Sequence, residues 1–526
     1  MRRSVLAAAA AGLVAVAGAA PAATLRWASD TELSSLDPYA RQETFLLSFD
    51  SNIYEPLVRR DRGLRLEPAL ALSWTQTSPT VWRFVLRHGV KFHDGTPFSA
   101  DDVLFSFDRV RDESSNLKGA VAAVAEVRKI DDFTVDFVTS APDPILPGEL
   151  ANWDIMSRVW CEMHDAAHPA DLAKGEESYA TNHANGTGPF MPVERVGDTR
   201  MVLERNPRWW DRPEHDLDKV EYRRIANPSA RVAALLSGEV DMIYPVPPQE
   251  VERIASARGY RIVQGPELRT IFLSFDQSRP ELLESDVKGR NPFKDKRVRQ
   301  AFYLAIDEEA IAEKVMRGQA RPAGLMVAPG VNGYAAELDR RFPYDPAAAR
   351  KLLAEAGYPD GFATGMDCPS DRYVNDEQIC RTVVAMLAKI GVKAKLLAQP
   401  RAKFFAKVLA PDFDTSFYML GWTPVTYDAS NMLVSLAHTR DTTTFAGSFN
   451  VGGYSNPDLD ALIDAIQVET DQAKRTEMIR KALAILRDDF AFIPLHQQTL
   501  LWAVKDNVQV ALQADNRFQL RYVTVK

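Results

Sequence analysis

Residues 417–433, FYMLGWTPVTYDASNML, combine side chains suited to holding a small molecule. Trp422 and Tyr427 offer flat apolar area for stacking. Asp428 offers an anion to a cation or a hydroxyl, and Thr423 and Asn431 offer neutral hydrogen-bonding groups. A second stretch, CPSDRYVND over 368–376, carries Arg372. A guanidinium fork grips a carboxylate or phosphate through two parallel hydrogen bonds. Each residue also has a plain structural reading: Trp422 as a core aromatic, Tyr427 and Asn431 as caps of the loop or its following helix, Arg372 as a surface cation paired with Asp371 or Asp376.

Signatures of catalysis are absent. There is no G-x-S-x-G elbow, no Walker P-loop, no complete G-x-G-x-x-G fingerprint and no H-E-x-x-H. Of the eight histidines, His164 and His168 alone are spaced to share a helical face, but Pro169 follows at once and no nearby Cys completes a metal set. No catalytic residue, metal or cofactor is expected, although missing motifs are weak evidence against catalysis because catalytic residues need only meet in space.

The elements that must position these residues alternate between helix and strand. Val81 to Leu86 alternates as a strand, Asp94-Gly95-Thr96-Pro97 makes a turn, and Ser99 caps a helix with Asp102 three residues on. Val103, Leu104, Phe107 and Val110 line one face of that helix. Asp345-Pro346 and Asn456-Pro457 open further helices, Asn375-Asp376 precedes another closed by Gly391, and β-branched runs at 134–138 and 240–243 read as strands. Interleaved helices and short strands indicate an α/β architecture.

At 526 residues the chain holds two or more domains, and 46% hydrophobic content supports sizeable cores. The formal net charge of -8 argues against a nucleic-acid partner, which needs a basic face. The start, MRRSVLAAAAAGLVAVAGAAPAA, has a basic n-region, an apolar run and an A-x-A-like site, so a cleavable signal peptide is expected over 1–23. No Cys lies near that site to carry a lipid, which implies a free periplasmic protein, not a lipoprotein. In an oxidising compartment one pair among Cys161, Cys368 and Cys380 bridges; Cys368 and Cys380 enclose a short loop. The alternative is three small buried hydrophobes.

The wording of LRHGVKFHDGTPFSADDVLFSFDRV (86–110) resembles the signature of the extracellular solute-binding proteins, family 5, of dipeptide and oligopeptide ABC importers. NGTGPFMPVERV (185–196), LERNPRWWDRP (203–213), LLSGEVDMI (235–243) and YDPAAARKLLAEAGYPDGF (344–362) follow in family order. The resemblance implies a two-lobed periplasmic-binding-protein fold of type II, in the large cluster with an extra subdomain, with two crossing hinge strands. Lobe I would be 24–270 plus 497–526, with a subdomain near 45–168, and lobe II 271–496. Leu268–Phe275 and Leu495–Val504 would be the crossing segments.

It also implies site residues. In peptide-binding relatives a tryptophan matching Trp422 lines the cleft, and an aspartate three residues later pairs with the peptide's amino terminus. Here that position is Val425, and the nearest acid is Asp428. A valine does not sit where an ammonium docks, so either Asp428 substitutes or the ligand has no free amine there. Arg372 stands about where dipeptide-binding relatives place the arginine that grips the carboxylate. Gln42 and Glu43 fall in the segment resembling the N-terminal cleft lining. Trp209 and Trp210 match a packing feature. The expected role is a monomeric receptor delivering a peptide or peptide-like solute to membrane permease subunits. A non-peptide ligand on the same fold (opine, oligosaccharide, haem or metal chelate) is the alternative, and an exported hydrolase a more remote one.

Overall fold

The structure, a computed structural model, describes residues 23–526 apart from 410, 412 and 445. The expected signal peptide lies outside the described residues except for its last position.

The stretch that starts at Val81 folds as its pattern dictates. Val81–Leu86 pairs with Ala71–Ser78 on one side and Thr134–Thr139 on the other, and Val124–Asp131 completes a four-stranded antiparallel sheet. Helix Ala100–Val110 lies beside it. The Ser99 hydroxyl accepts from the Asp101 amide and the Asp102 carboxylate accepts from the Ser99 amide at 2.9 Å, which satisfies donors a helix start leaves orphaned. In NGTGPF a close approach requires glycine. A Cβ on Gly186 would stand 2.0 Å from the Ile53 carbonyl oxygen.

A second sheet runs the length of the molecule. Its order is Lys393–Gln399, Ala363–Pro369, Phe417–Trp422, Tyr260–Phe275, Phe492–Lys505, Met242–Ile243, Thr24–Ser29, Lys219–Arg224, Arg200–Arg205 and Phe190–Val196, with Ala320–Pro322 also on Phe492–Lys505. Two members, Tyr260–Phe275 and Phe492–Lys505, are long and antiparallel and belong to both halves of the sheet. Their ladder runs from Tyr260 opposite Lys505 to Pro266 opposite Thr499, and resumes at Thr270 opposite Gln497. Between these points Glu267, Leu268 and Arg269 face the single Gln498. Such a bulge bends the strand and re-aims its side chains.

The apolar cores divide at this bulge. On one side Trp27, Phe49, Tyr222 and Trp502 centre a large cluster, with a smaller one around Val232, Ile243 and Ala503. On the other, Phe293, Phe302 and Phe417 centre one cluster and Phe272, Met432 and Leu483 another. Two pairs of cores, one on each side of the bulge and joined by the long paired strands, make a two-lobed α/β fold. We call the half holding Trp27 lobe I and the half holding Phe417 lobe II. Cys368 and Cys380 form a disulfide between the end of strand Ala363–Pro369 and helix Asp376–Ala388, while Cys161 is a buried free thiol.

Candidate functional site

The bulge directs Arg269 into the junction between the lobes. Its side chain is buried, and Nη2 donates to Thr44 Oγ1 at 3.2 Å, on the first residue of lobe I helix Thr44–Asp50. Its methylenes lie against lobe II. A Cβ on Gly421 would meet Arg269 Cδ at 3.1 Å and Tyr373 Cε1 at 2.9 Å, so a larger residue there would have to displace them. The Gly421 amide donates to the Tyr373 hydroxyl at 2.9 Å, and the Arg372 guanidinium lies 5.2 Å from the Tyr373 ring centre.

Glu267 lies in the same bulge as Arg269. Its side chain is only 2% exposed, and Oε1 lies 3.0 Å from Arg269 Nη1. That contact is off the hydrogen-bonding direction, and neither carboxylate oxygen has a hydrogen-bond partner. Burial pushes the carboxyl pKa up, and the charges of Arg269, Arg372 and His496 pull against it. Burial likewise pulls the Arg269 guanidinium down, with Glu267 opposing. On the facing strand His496 Nδ1 lies 2.7 Å from Glu308 Oε1, while His496 Nε2 and Gln498 Oε1 have no partner. The junction is thus a buried polar cluster with open hydrogen-bonding positions.

The expected site residues scatter around it. Arg372 is held by its backbone: the Asp376 carboxylate accepts from the amides of Arg372 and Tyr373 at 2.8 and 3.0 Å. Burial pushes that carboxyl up to about 6 despite these bonds. Among the described residues no ion pair ties the Arg372 guanidinium to Asp371 or Asp376, and its charge acts on Glu267 and Arg269. Trp422 pairs with Thr270 at the end of its strand. Its ring packs 5.1 Å from Phe449 and its Nε1 donates to Asn431 Oδ1 at 3.1 Å. Thr423 follows, half-buried. Glu43 lies 3.9 Å from Arg401 of lobe II, and Gln42 is exposed.

Two residues are committed elsewhere. Tyr427, in the left-handed region at φ 61°, donates its hydroxyl to Asp515 and lies under Arg60 with 3.9 Å between guanidinium and ring centre. Arg60 Nη2 donates to the Thr426 carbonyl at 2.9 Å and Asn152 Nδ2 to the Val425 carbonyl at 3.0 Å. The loop therefore clasps lobe I. A void of about 40 Å³ beside Tyr427, Arg60, Asp154 and Arg517 has room for a water or two, not a solute.

Asp428, expected to offer its carboxylate to a ligand, turns it into lobe II. Arg475 grips it with two bonds of 2.6 and 2.9 Å, Asn332 donates at 2.6 Å, and it caps helix Ala429–Met432 through the Ser430 amide. Burial pushes its pKa up, but the bonds and charge of Arg475 outweigh this and the net shift is downward. The physical reason is the buried Arg475, which needs a counter-charge more than a ligand does.

His164 stacks on Tyr179 with ring centres 4.2 Å apart, and His168 Nδ1 lies 2.7 Å from Asp112. The two rings serve different partners. Trp209 and Trp210 both donate to the buried Glu55. Glu267, Arg269 and His496 were not legible as site residues. The available signal was charge inside long apolar strands, GPELRTIFLSF and FIPLHQQTLLW: buried charges must face something polar.

The model of the bacterial extracellular solute-binding proteins, family 5, matches residues 65–444. The glutathione-binding protein GsiB of Salmonella typhimurium is 27% identical over 491 residues, covering 91% of this chain and 90% of its own. Among solved structures, the periplasmic binding protein DppA of Helicobacter pylori in complex with peptide STSA is 25% identical, with a TM-score of 0.80 over 96% of this chain and 98% of that one. The dipeptide-binding protein of Pseudoalteromonas sp. SM9913 in complex with Met-Leu is 22% identical, with a TM-score of 0.82 over 96% and 100%. The chain belongs to the bacterial extracellular solute-binding proteins of family 5, the solute receptors of ABC importers.

Proposed function

We propose that the protein works in the periplasm, captures a small peptide-like solute bearing a carboxylate between its lobes, and delivers it to membrane permease subunits. The observation that carries this reading is Arg269. One side chain on a hinge strand touches Thr44 of lobe I and packs on Gly421 and Tyr373 of lobe II, with Arg372 beside it. A solute carboxylate bound there contacts both lobes at once. It therefore binds the closed arrangement better than the open one, which is what closure by a ligand requires. The relatives named for glutathione and for peptides support the same solute class. We place the lobe boundaries at the bulge, near 270 and 497, and export by the leader at 1–23.

The test is native mass spectrometry of the mature protein, then denaturation and identification of any released molecule, with small-angle scattering before and after its return. A carboxylate-bearing solute that compacts the protein is expected. A solute that binds without compaction, or a neutral sugar, defeats the reading.

A further inference from the structure

Building on the solute-capture reading, we propose that Glu267 receives a protonated nitrogen of the solute, in the absence of an acid at position 425. The ligand class is then a small zwitterion: a carboxylate for Arg372 and Arg269, and a primary ammonium for Glu267.

Three observations meet here. Glu267 is buried, yet both its oxygens lack hydrogen-bond partners. An ionised carboxylate has acceptor positions for several donors, and leaving them empty in a buried place is unfavourable. Arg269 supplies charge at 3.0 Å but no aligned hydrogen bond. Second, Glu267 and Arg269 both lie in the bulge, and their side chains meet at 3.0 Å. Arg269 also reaches Thr44, Gly421 and Tyr373, and the charges of Arg372 and His496 act on Glu267.

Third, the loop that would otherwise hold an amine is occupied. Val425 gives its carbonyl to Asn152, and Asp428 is held by Arg475 and Asn332. Two guanidiniums stand against the one Glu267 carboxylate, with His496 and Glu308 paired to each other, so one guanidinium is left over for the solute's carboxylate. A zwitterion adds no net charge. It gives its anion to the surplus guanidinium and its three N–H donors to the empty acceptors.

The test uses the mature full chain and paired probes: glutathione, Met-Leu and Ala-Ala, each beside its N-acetyl form, by titration calorimetry. The expected result is that at least one free-amine probe binds about 100-fold more tightly than its acetylated partner. In Glu267→Gln that preference falls to within a few fold, and Glu267→Asp restores part of it. Glu149→Gln, at a half-buried acid whose charged neighbours are Asp143, Asp428 and Arg475, leaves it intact. The wild-type comparison reads the ligand class even where a variant folds poorly. Equal binding of the acetylated forms, a preference that survives in Glu267→Gln, or a preference lost in Glu149→Gln overturns the proposal. Amine-free acids that bind and compact the protein defeat the role of Glu267 and leave solute capture standing. No binding and no compaction with any probe defeats both.

Discussion

Asn152 of lobe I donates a 3.0 Å hydrogen bond to the backbone carbonyl of Val425 in lobe II. Two residues later Tyr427 reaches Asp515 with its hydroxyl and lies under Arg60. These bonds need no ligand. They set how often the empty protein closes. Each contributes about 0.5–1.5 kcal/mol, so Asn152→Ala or Tyr427→Phe should shift the closed-to-open ratio about two- to tenfold toward open. A pair of spin labels, one on each lobe, reads this directly. Unchanged distance distributions in both variants would show that the clasp does not govern closure.

The Asp428–Arg475 pair should behave as a unit. Arg475→Met leaves a buried carboxylate with no counter-charge and should cost about 3–5 kcal/mol in urea unfolding. Asp428→Asn added to it should recover part of that loss, because the uncompensated charge is gone. Additive losses from the two changes would mean that the pair is not coupled.

Asp154 should make stability depend on pH. Burial raises its pKa from 3.8 to about 7, against the pull of Arg517. The folded protein keeps a proton that the unfolded chain has lost, so the contribution of Asp154 to stability is largest below about pH 4, falls as pH rises to about 7, and stays lower above. Asp154→Asn should match wild type at pH 4 and exceed it at pH 8 by on the order of 2–4 kcal/mol. Calorimetric melting at both pH values checks this, and parallel curves for the two proteins would refute it.

The cysteines give a chemical count. Denatured without reductant, the chain should show the single thiol of Cys161, and with reductant three. Burial pushes the Cys161 thiol up to about 12, so it should resist alkylation in the folded state. Replacing Cys368 and Cys380 by alanine should cost about 3 kcal/mol. Rapid native alkylation of Cys161 would argue for an open core.

Local signals were legible where the physics is local. Ser99 with Asp102, Asp345 with Pro346, and Asn456 with Pro457 each cap a helix from within four residues, and each helix begins there. The run at 240–243 reads as a strand, but only Met242–Ile243 pairs, because its partners are set by strands far away in sequence. Asp428 looked available because its partner Arg475 lies 47 residues downstream. Glu267 was invisible for the same kind of reason. The bulge that displays it depends on register with Phe492–Lys505, on the far side of the whole of lobe II.

That long pairing has a further consequence for how the chain becomes a protein. Tyr260 and Lys505 are neighbours in space but nearly half the chain apart in sequence. Met242–Ile243, inside lobe I, also waits for Phe492–Lys505. Neither lobe completes its sheet until the final strand emerges, so closing contacts form late and against a large loop entropy. A chain handed over from the ribosome segment by segment therefore stays short of its native sheet until the strand Phe492–Lys505 arrives.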